Sequence, residues 1–420
     1  MTPQALLDVA MIVKSEEAYL PACLASLEQL RPILGVVHIY DTGSSDRTVE
    51  IARTWGAKVT EGYWDDDFAR ARNASLTFGS APWILWTDAD DVVQANVCAL
   101  AARLRDELGG AVQAFSSLLV VDGHGGTLTA HSIRVMRRGS TCFENRVHER
   151  VVLSSGGLAS CAQLSPDVLT TVHTGYTAEA HAGKVARNLA LLEGELQEAR
   201  RHGGPHLTEV LWNRARTLMG ANRFEEAIDD LVEARRHVGG LRVFRLEAGE
   251  LLAMLYLETS RYDDAEVVLQ ELRQEGQDPE MTAWLWGKLA LGKGEPREAL
   301  TLLRLINRPK SGAGRLDSWV PVLAARAQAA ALAGEYDESL AAALPLLAKH
   351  GAGGGLGQLI LAMWGSRPDE SLAMLLAEFG SAHAAAVGDE LCQAGARGEH
   401  VNLLYRERLS MASGCAVVAS

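Results

Sequence analysis

A chain of 420 residues, 48% hydrophobic and 22% charged, has the composition of a globular protein and exceeds what one compact core holds, so two domains are expected. A formal net charge of −13 excludes a general nucleic-acid binder, which needs a basic face. No leader-like opening and no membrane-length apolar run are read, and Cys23, Cys98, Cys142, Cys161, Cys392 and Cys415 form no C-x-x-C pair; free thiols in a reducing cytoplasm are the expectation.

Residues 8–13 predict a short apolar strand. Ser15 predicts the N-cap of a helix running to about Leu30, with Glu16 and Glu17 in its first turn. A second strand over 36–40 ends at Asp41, followed by the turn Thr42-Gly43-Ser44-Ser45-Asp46 and a helix through Thr48, Ile51, Ala52 and Trp55. Strand, helix, strand, helix at this spacing predicts an open, largely parallel α/β sheet. Ligands of such sheets bind beyond the carboxyl ends of the strands. The acidic head Asp65-Asp66-Asp67 can cap a helix that carries Arg70 and Arg72. Those arginines either pair with a diphosphate or neutralise the acidic head.

The apolar run Pro82-Trp83-Ile84-Leu85 predicts a buried strand leading into Trp86-Thr87-Asp88-Ala89-Asp90-Asp91. Carboxylates at i and i+2 leave a strand on one face and repel each other unless a cation lies between them. Mg²⁺ or Mn²⁺ takes such oxygen ligands and shares them with substrate phosphates. The plainer reading is a solvated acidic turn that caps the next helix.

Four segments occur in order: Val13-Lys14-Ser15-Glu16-Glu17, Asp41-Thr42-Gly43-Ser44-Ser45-Asp46-Arg47-Thr48, Asp67-Phe68-Ala69-Arg70-Ala71-Arg72-Asn73 and Asp88-Ala89-Asp90-Asp91. Together they resemble family 2 glycosyltransferases of the GT-A fold, over roughly residues 8–180. The resemblance implies that Asp41 contacts the nucleotide base, Asp88 the ribose, and Asp90 a divalent metal, Mn²⁺ or Mg²⁺. It extends nucleotide-sugar binding to Val13, Ser15, Glu16, Asp67, Arg70 and Arg72. Ser15 stands where related sequences often carry Asn, a change expected to be tolerated because both residues cap helices.

Downstream, a helix is read over 99–105, then strands over 114–121 and 131–136 flanking a Gly-rich hairpin loop in which His124 is read as exposed. The segment Phe143-Glu144-Asn145-Arg146-Val147-His148-Glu149 resembles the Arg-x-His-Glu element of this glycosyltransferase branch. An inverting enzyme needs a carboxylate to deprotonate the nucleophile, and Glu149 is the candidate, with Glu144 in reserve and His148 as acceptor-side partner. His173, closing the apolar strand 168–172, is implied as a further metal ligand, suited to Mn²⁺ more than Mg²⁺. Tyr176 is a candidate sugar contact. Each of these also has a bland reading, as a solvated Glu or a packed His.

From about His181 helical periodicity takes over. The anchors Ala227, Ala265, Ala299, Ser339 and Ser371 sit in similar segments at separations of 38, 34, 40 and 32 residues, bracketing the tetratricopeptide period of about 34 residues. The expected layout is a GT-A domain over 1–180, a connecting helix and linker over 181–205 ending at Gly203-Gly204-Pro205, and tetratricopeptide-like helices over 206–420. A second break is read over 351–357. This arrangement resembles bacterial glycosyltransferases of bacteriocin-type peptides. It implies transfer from a nucleotide sugar, a UDP-sugar by preference, to Ser, Thr or Cys of a peptide or protein, with homodimerisation through the helices. A saccharide or small natural product as acceptor, or a non-catalytic helical scaffold, are the competing readings.

Overall fold

The computed structural model describes residues 5–123, 126–175, 178–202, 205–237, 239–307, 319–351 and 353–415. They divide into two compact units, Met1–His202 with Arg216–Asn222, and Gly203–Ala215 with Arg223–Ser420. The division falls after His202, so the helix expected as a connector counts with the first unit. His124, Tyr176, Gly203 and Gly204 lie outside the described residues.

The first unit runs β1 (Leu7–Val13), α1 (Leu20–Leu27), β2 (Leu34–Asp41), α2 (Thr48–Trp55), β3 (Lys58–Glu61), α3 (Phe68–Ser75), β4 (Trp83–Trp86), β5 (Asp91–Ala95), α4 (Val97–Asp106), β6 (Ala114–Gly123), β7 (Gly126–Arg137), β8 (Thr141–Glu144), β9 (Arg150–Leu153), β10 (Cys161–Gln163), β11 (Leu169–His173) and α5 (Ala178–His202). A nine-stranded sheet has the order β3-β2-β1-β4-β7-β6-β11-β5, with β10 on β6, while β8 and β9 pair separately. From β3 to β4 the pairing is parallel. Beyond β4 it is mixed: β10 and β11 pair parallel with β6, while β4–β7, β7–β6 and β11–β5 are antiparallel, so the sheet is largely but not wholly parallel. The reason is connectivity: only two residues separate the end of β6 from the start of β7, too few for the crossover a parallel pair needs, so the two pair antiparallel.

The central strand β1 is covered on both faces, as parallel strands are. Its Leu7, Val9, Met11 and Val13 share a core with Leu20, Leu24 and Leu27 of α1 and Trp83 and Leu85 of β4. Each such side chain contributes about 1.5–3 kcal/mol on full burial. Buried Asp8 is satisfied: it accepts from the Val36 and Ala81 N–H groups at 2.7 and 2.9 Å and pairs with Arg138 at 2.6 Å.

The first helix begins at Leu20, not after Ser15. Ser15 adopts φ 56°, and the N–H groups of Ser15, Glu16 and Glu17 donate to side chains of Ser44, Thr48 and Asp46 at 2.8, 2.7 and 3.1 Å. The loops after β1 and β2 are therefore stapled together. Donors that a helix start would leave to a cap are spent across the sheet edge. Pro21, in the first turn of α1, marks the true start.

The second unit is helical: α6 (Pro205–Gly220), α7 (Phe224–Arg236), α8 (Arg242–Glu258), α9 (Tyr262–Gln274), α10 (Pro279–Gly292), α11 (Pro296–Leu303), α12 (Trp319–Ala333), α13 (Tyr336–His350), α14 (Leu356–Trp364), α15 (Asp369–Glu378), α16 (Ala384–Gln393) and α17 (Ala396–Cys415). The last turn of α6 counts with the first unit. Ala227, Ala265, Ala299 and Ser339 are each the fourth residue of α7, α9, α11 and α13, and all are 0% exposed. Small side chains there let the neighbouring helix approach. The Ser339 hydroxyl donates to the Ala327 carbonyl of α12 at 2.6 Å, so its burial leaves no orphaned polar atom. In α15 the frame slips: Ser371 is only partly buried, and Leu372 takes the buried position.

A shared turn precedes these helices. Five residues before each of the first four anchors stand Asn222, Ser260, Gly294 and Gly334, all with φ between 57° and 82°. Left-handed backbone there reverses the chain between paired helices, and only Gly adopts it without cost.

Candidate functional site

Where β1, β2 and β4 end, their loops meet the 147–149 segment, the end of β11 and α5 around a cavity of about 430 Å³. Val13, Glu16, Arg72, Asp88, Asp90, His148, Glu149 and His173 all line it. Eight residues scattered over the first 173 are thereby brought to one place. Ser15, Asp41, Asp67 and Arg70 are not among the lining residues.

Each of those four has local work. Asp41 accepts from the Gly43 and Ser44 N–H groups at 3.1 Å each and from the Ser44 hydroxyl at 2.5 Å, which shapes the turn after β2. The Ser15 hydroxyl accepts from the Ser45 N–H at 3.3 Å. Asp67 caps α3 by accepting from the Arg70 N–H at 2.8 Å. Arg70 donates to Asp65 at 2.5 Å, to the Tyr63 carbonyl at 2.6 Å and to the Tyr40 hydroxyl at 3.1 Å. The two arginines of the motif thus part ways: Arg70 neutralises the acidic head and Arg72 faces the cavity.

Arg72 is 7% exposed. It donates from Nη2 to Asp88 at 2.9 Å and from Nε to Glu149 at 2.5 Å. Burial opposes its charge, but the Asp88 and Glu149 carboxylates outweigh that and hold the guanidinium above its ordinary range. The rest of α3 positions the Glu149 loop. The Asn73 amide donates to the Phe143 carbonyl and accepts from the Phe143 N–H, both at 2.8 Å, and the Phe68 N–H donates to the Arg146 carbonyl at 2.9 Å. Left-handed Asn145 (φ 74°) and His148 (φ 54°) bend that loop so that Glu149 points inward. Glu144, the reserve base, faces Arg150 at 3.4 Å instead.

Asp88, Asp90 and Asp91 have different environments despite adjacency. Asp91 is 0% exposed. It accepts from Arg134 at 2.9 Å, from the Asp88 N–H at 2.9 Å, from the Thr87 hydroxyl at 3.2 Å, and lies 3.0 Å from His173 Nδ1. Burial opposes its charge, yet Arg134 and His173 keep it below the usual carboxylate range. Asp91 therefore sets the loop that carries the other two. Asp90 faces the cavity with Oδ1 3.3 Å from His173 Nδ1. Gly175 packs so closely that a Cβ there would lie 2.1 Å from Asp90 Oδ2.

The acidic groups of the cavity act on one another. Burial, then the nearby Asp90, raises the Glu16 carboxyl to about 7. Burial also raises Asp90, with Asp88 and Asp91 adding. His173 is raised chiefly by its bond to Asp91, with Asp90 adding. Ligand atoms of Asp90, Asp91 and His173 lie within 4.8 Å of one another, the group of possible metal ligands found among the described residues. Asp91 is buried and held by Arg134, the Asp88 N–H and the Thr87 hydroxyl, whereas Asp90 and His173 line the cavity and would face an ion there; hard oxygen with imidazole nitrogen suits Mn²⁺. The residues fit a divalent cation.

His148 differs. Burial, with Arg216 adding, lowers it to about 4, and its Nε2 lies 2.8 Å from the Thr217 hydroxyl. It is a neutral imidazole at physiological pH.

Sequence reasoning missed Asp91, Arg134, Asn73 and Trp86 as builders of the site, and Lys184, Arg187 and Asn188 of α5, which line the cavity. Asp91, Asn73 and Trp86 lay inside segments singled out in the sequence. Arg134 and the α5 residues carried no local signal, since only folding brings them near.

Residues 8–137 match the model of Glycosyl transferase family 2. That stretch of the mixed-sheet unit is thus similar to the family, and the helical repeats follow it. Among curated proteins, the TPR repeat-containing protein Synpcc7942_0270 of Synechococcus elongatus is 42% identical over 88 residues, 21% of each chain. The SPbeta prophage-derived glycosyltransferase SunS of Bacillus subtilis is 26% identical over 279 residues, 63% of this chain and 62% of that one. The lipopolysaccharide core biosynthesis glycosyltransferase LpsC of Rhizobium meliloti is 29% identical over 166 residues, 36% of this chain and 59% of that one. The chain thus spans less than two thirds of the length of each. No helix of the described residues is long and apolar enough to cross a membrane, and Cys23, Cys98, Cys142, Cys161 and Cys392 are free thiols.

Proposed function

We propose that the protein is a metal-dependent, inverting glycosyltransferase that moves a sugar from a nucleotide-sugar donor, a UDP-sugar by preference, to a Ser, Thr or Cys side chain of a peptide or protein. The observation that carries this reading is the convergence of Asp88, Asp90, His173, Arg72 and Glu149 on one cavity at the strand ends of a family 2 domain. Asp90 and His173 hold the cation, Asp88 takes the ribose, and Glu16 and Val13 border the donor. Ser15, Asp41, Asp67 and Arg70 enter as supports of the loops around the donor, with Asp41 kept as the candidate for the base. When bound, the cation supplies positive charge to the departing diphosphate. Glu149 takes the proton from the acceptor as it attacks the anomeric carbon, and Arg72 fixes Glu149 and Asp88 relative to each other. His148, neutral, orients the acceptor side.

Helical repeats bind extended chains and also serve assembly. A peptide acceptor and a homodimer through the second unit both belong to this reading, with a cytoplasmic location. A saccharide acceptor is the second reading, favoured by the likeness to the lipopolysaccharide enzyme.

The test is a panel of nucleotide sugars with Mn²⁺. The matching donor is expected to raise the melting temperature, and Asp90→Ala to remove that rise. Glu149→Gln is expected to keep donor binding while lowering kcat by about 10²–10⁴. Mass gain on Ser-, Thr- or Cys-bearing peptides supports the peptide acceptor, and transfer to saccharides alone selects the second reading. No response to any donor with metal would leave a helical scaffold.

A further inference from the structure

The cavity has a wall that the family 2 match at residues 8–137 does not include. It comes from α5, which places Lys184, Arg187 and Asn188 opposite the acidic loop. Lys184 Nζ lies 3.7 Å from Asp90 Oδ2. Asp90 Oδ1, meanwhile, faces His173 Nδ1 at 3.3 Å. The carboxylate named above as the cation ligand is thus already served by a positive group of the chain itself. Two arginines near the acidic loop are committed: Arg72 bridges Asp88 and Glu149, and Arg134 is paired with Asp91 and lies 4.0 Å from Asp88. Lys184 is of another kind. Its side chain is 42% exposed against 9% for Arg72 and 3% for Arg134, and a flexible four-carbon stem lets its ammonium relocate within the cavity.

We propose that Lys184 is a built-in counter-ion that trades partners during donor binding. In the donor-free protein it neutralises Asp90. With a divalent ion and a nucleoside diphosphate bound, Asp90 would hold the ion and the Lys184 ammonium would turn to the diphosphate oxygens. Like charges favour the trade: an ammonium and a divalent ion sharing Asp90 would repel, while the diphosphate brings the negative charge that re-pairs the lysine. The protein therefore resists the metal alone and accepts it with the nucleotide. This inference rests on the donor reading above and deepens it by naming a positioning residue outside the matched domain.

The experiment separates the two halves of the trade. Mn²⁺ binding by the full-length protein is measured by calorimetry without nucleotide, and again with the tightest of UDP, GDP and dTDP. Lys184→Met, which keeps the stem and removes the charge, is expected to bind Mn²⁺ alone several-fold more tightly. It is expected to bind the nucleotide with Mn²⁺ about tenfold more weakly, the value of one charge-assisted bond at a half-exposed site. Lys184→Arg is expected to restore the nucleotide affinity. Lys184→Met that leaves both affinities unchanged, or weakens both together, overturns the inference while the donor reading stands. Wild-type protein that binds Mn²⁺ with none of the three nucleotides brings down the donor reading itself. A melting temperature within a degree or so of wild type checks that the substitution has not disturbed the fold.

Discussion

Trp86, the last residue of β4, packs against two guanidinium groups, Arg72 at 4.3 Å and Arg134 at 4.2 Å from its ring. Both cations anchor the following acidic loop: Arg72 binds Asp88 at 2.9 Å, and Arg134 binds Asp91 at 2.9 Å and lies 4.0 Å from Asp88. Cation–π contacts of this buried kind contribute about 2 kcal/mol each. The site is thus braced from below by apolar surface and fixed charge. Arg72 uses two different nitrogens to hold Asp88 and Glu149 at once, a fork a lysine cannot reproduce. Arg72→Lys is expected to lower kcat/KM by about 10–100-fold, the loss of one charged hydrogen bond, as steady-state kinetics would show.

His148 gives a pH signature at the same scale. Its folded pKa of about 4 lies below the ordinary imidazole value of 6.5. Below pH 6.5 the unfolded chain takes up a proton that the folded chain refuses until about pH 4. Stability contributed by the neutral ring is therefore complete above 6.5 and is lost as pH falls through this window, by at most about 3 kcal/mol. His148→Asn, with a side chain that tolerates the left-handed backbone at this position, is expected to flatten that part of the curve. Urea unfolding at stepped pH, wild type against variant, measures the difference.

At the scale of elements, the repeat helices depend on two devices: a small buried residue at the fourth position and a left-handed residue in the preceding turn. Gly334 has φ 82°, and a Cβ there would meet nothing within 4 Å. The cost of Gly334→Ala is thus purely conformational, about 1–2 kcal/mol. Overpacking works differently. Ala265 is 0% exposed, so Ala265→Leu must force helices apart, at about 1–3 kcal/mol. Thermal melts of the two variants are expected to fall in both cases. In the first unit the same scale explains the segment from Asp67 to Asn73: Asp67 caps α3, while Phe68, Arg72 and Asn73 reach across to the loop that carries Glu149. One short helix fixes the candidate base.

At the scale of the molecule, the two units have their own cores. One is built on β1, α1 and β4, and others on the repeat helices around Leu303 and Leu347. Proteins of this kind depart from two-state unfolding. Calorimetry is expected to resolve more than one transition, with nucleotide and Mn²⁺ raising the one that belongs to the first unit, since ligands stabilise what binds them. A single transition shifted as a whole would show instead that the units unfold together.

Patterns local in the chain were legible without coordinates. Strand and helix periodicity, the Asp-x-Asp segment after an apolar strand, and the recurrence of small anchors depend on residues a few positions apart, and backbone geometry converts such spacing directly into a face or an edge. Those signals carried the α/β unit, the helical repeats and eight residues of the cavity. What folding alone decided joins residues far apart: Arg134 with Asp91, His173 with Asp90, Asn73 with Phe143, and Lys184 with the acidic loop. It also decided which of two neighbouring arginines faces the cavity and which of three neighbouring aspartates is buried. A carboxylate's role is set by the charges and solvent around it, and those are supplied by strands and helices that only the tertiary fold brings to its side.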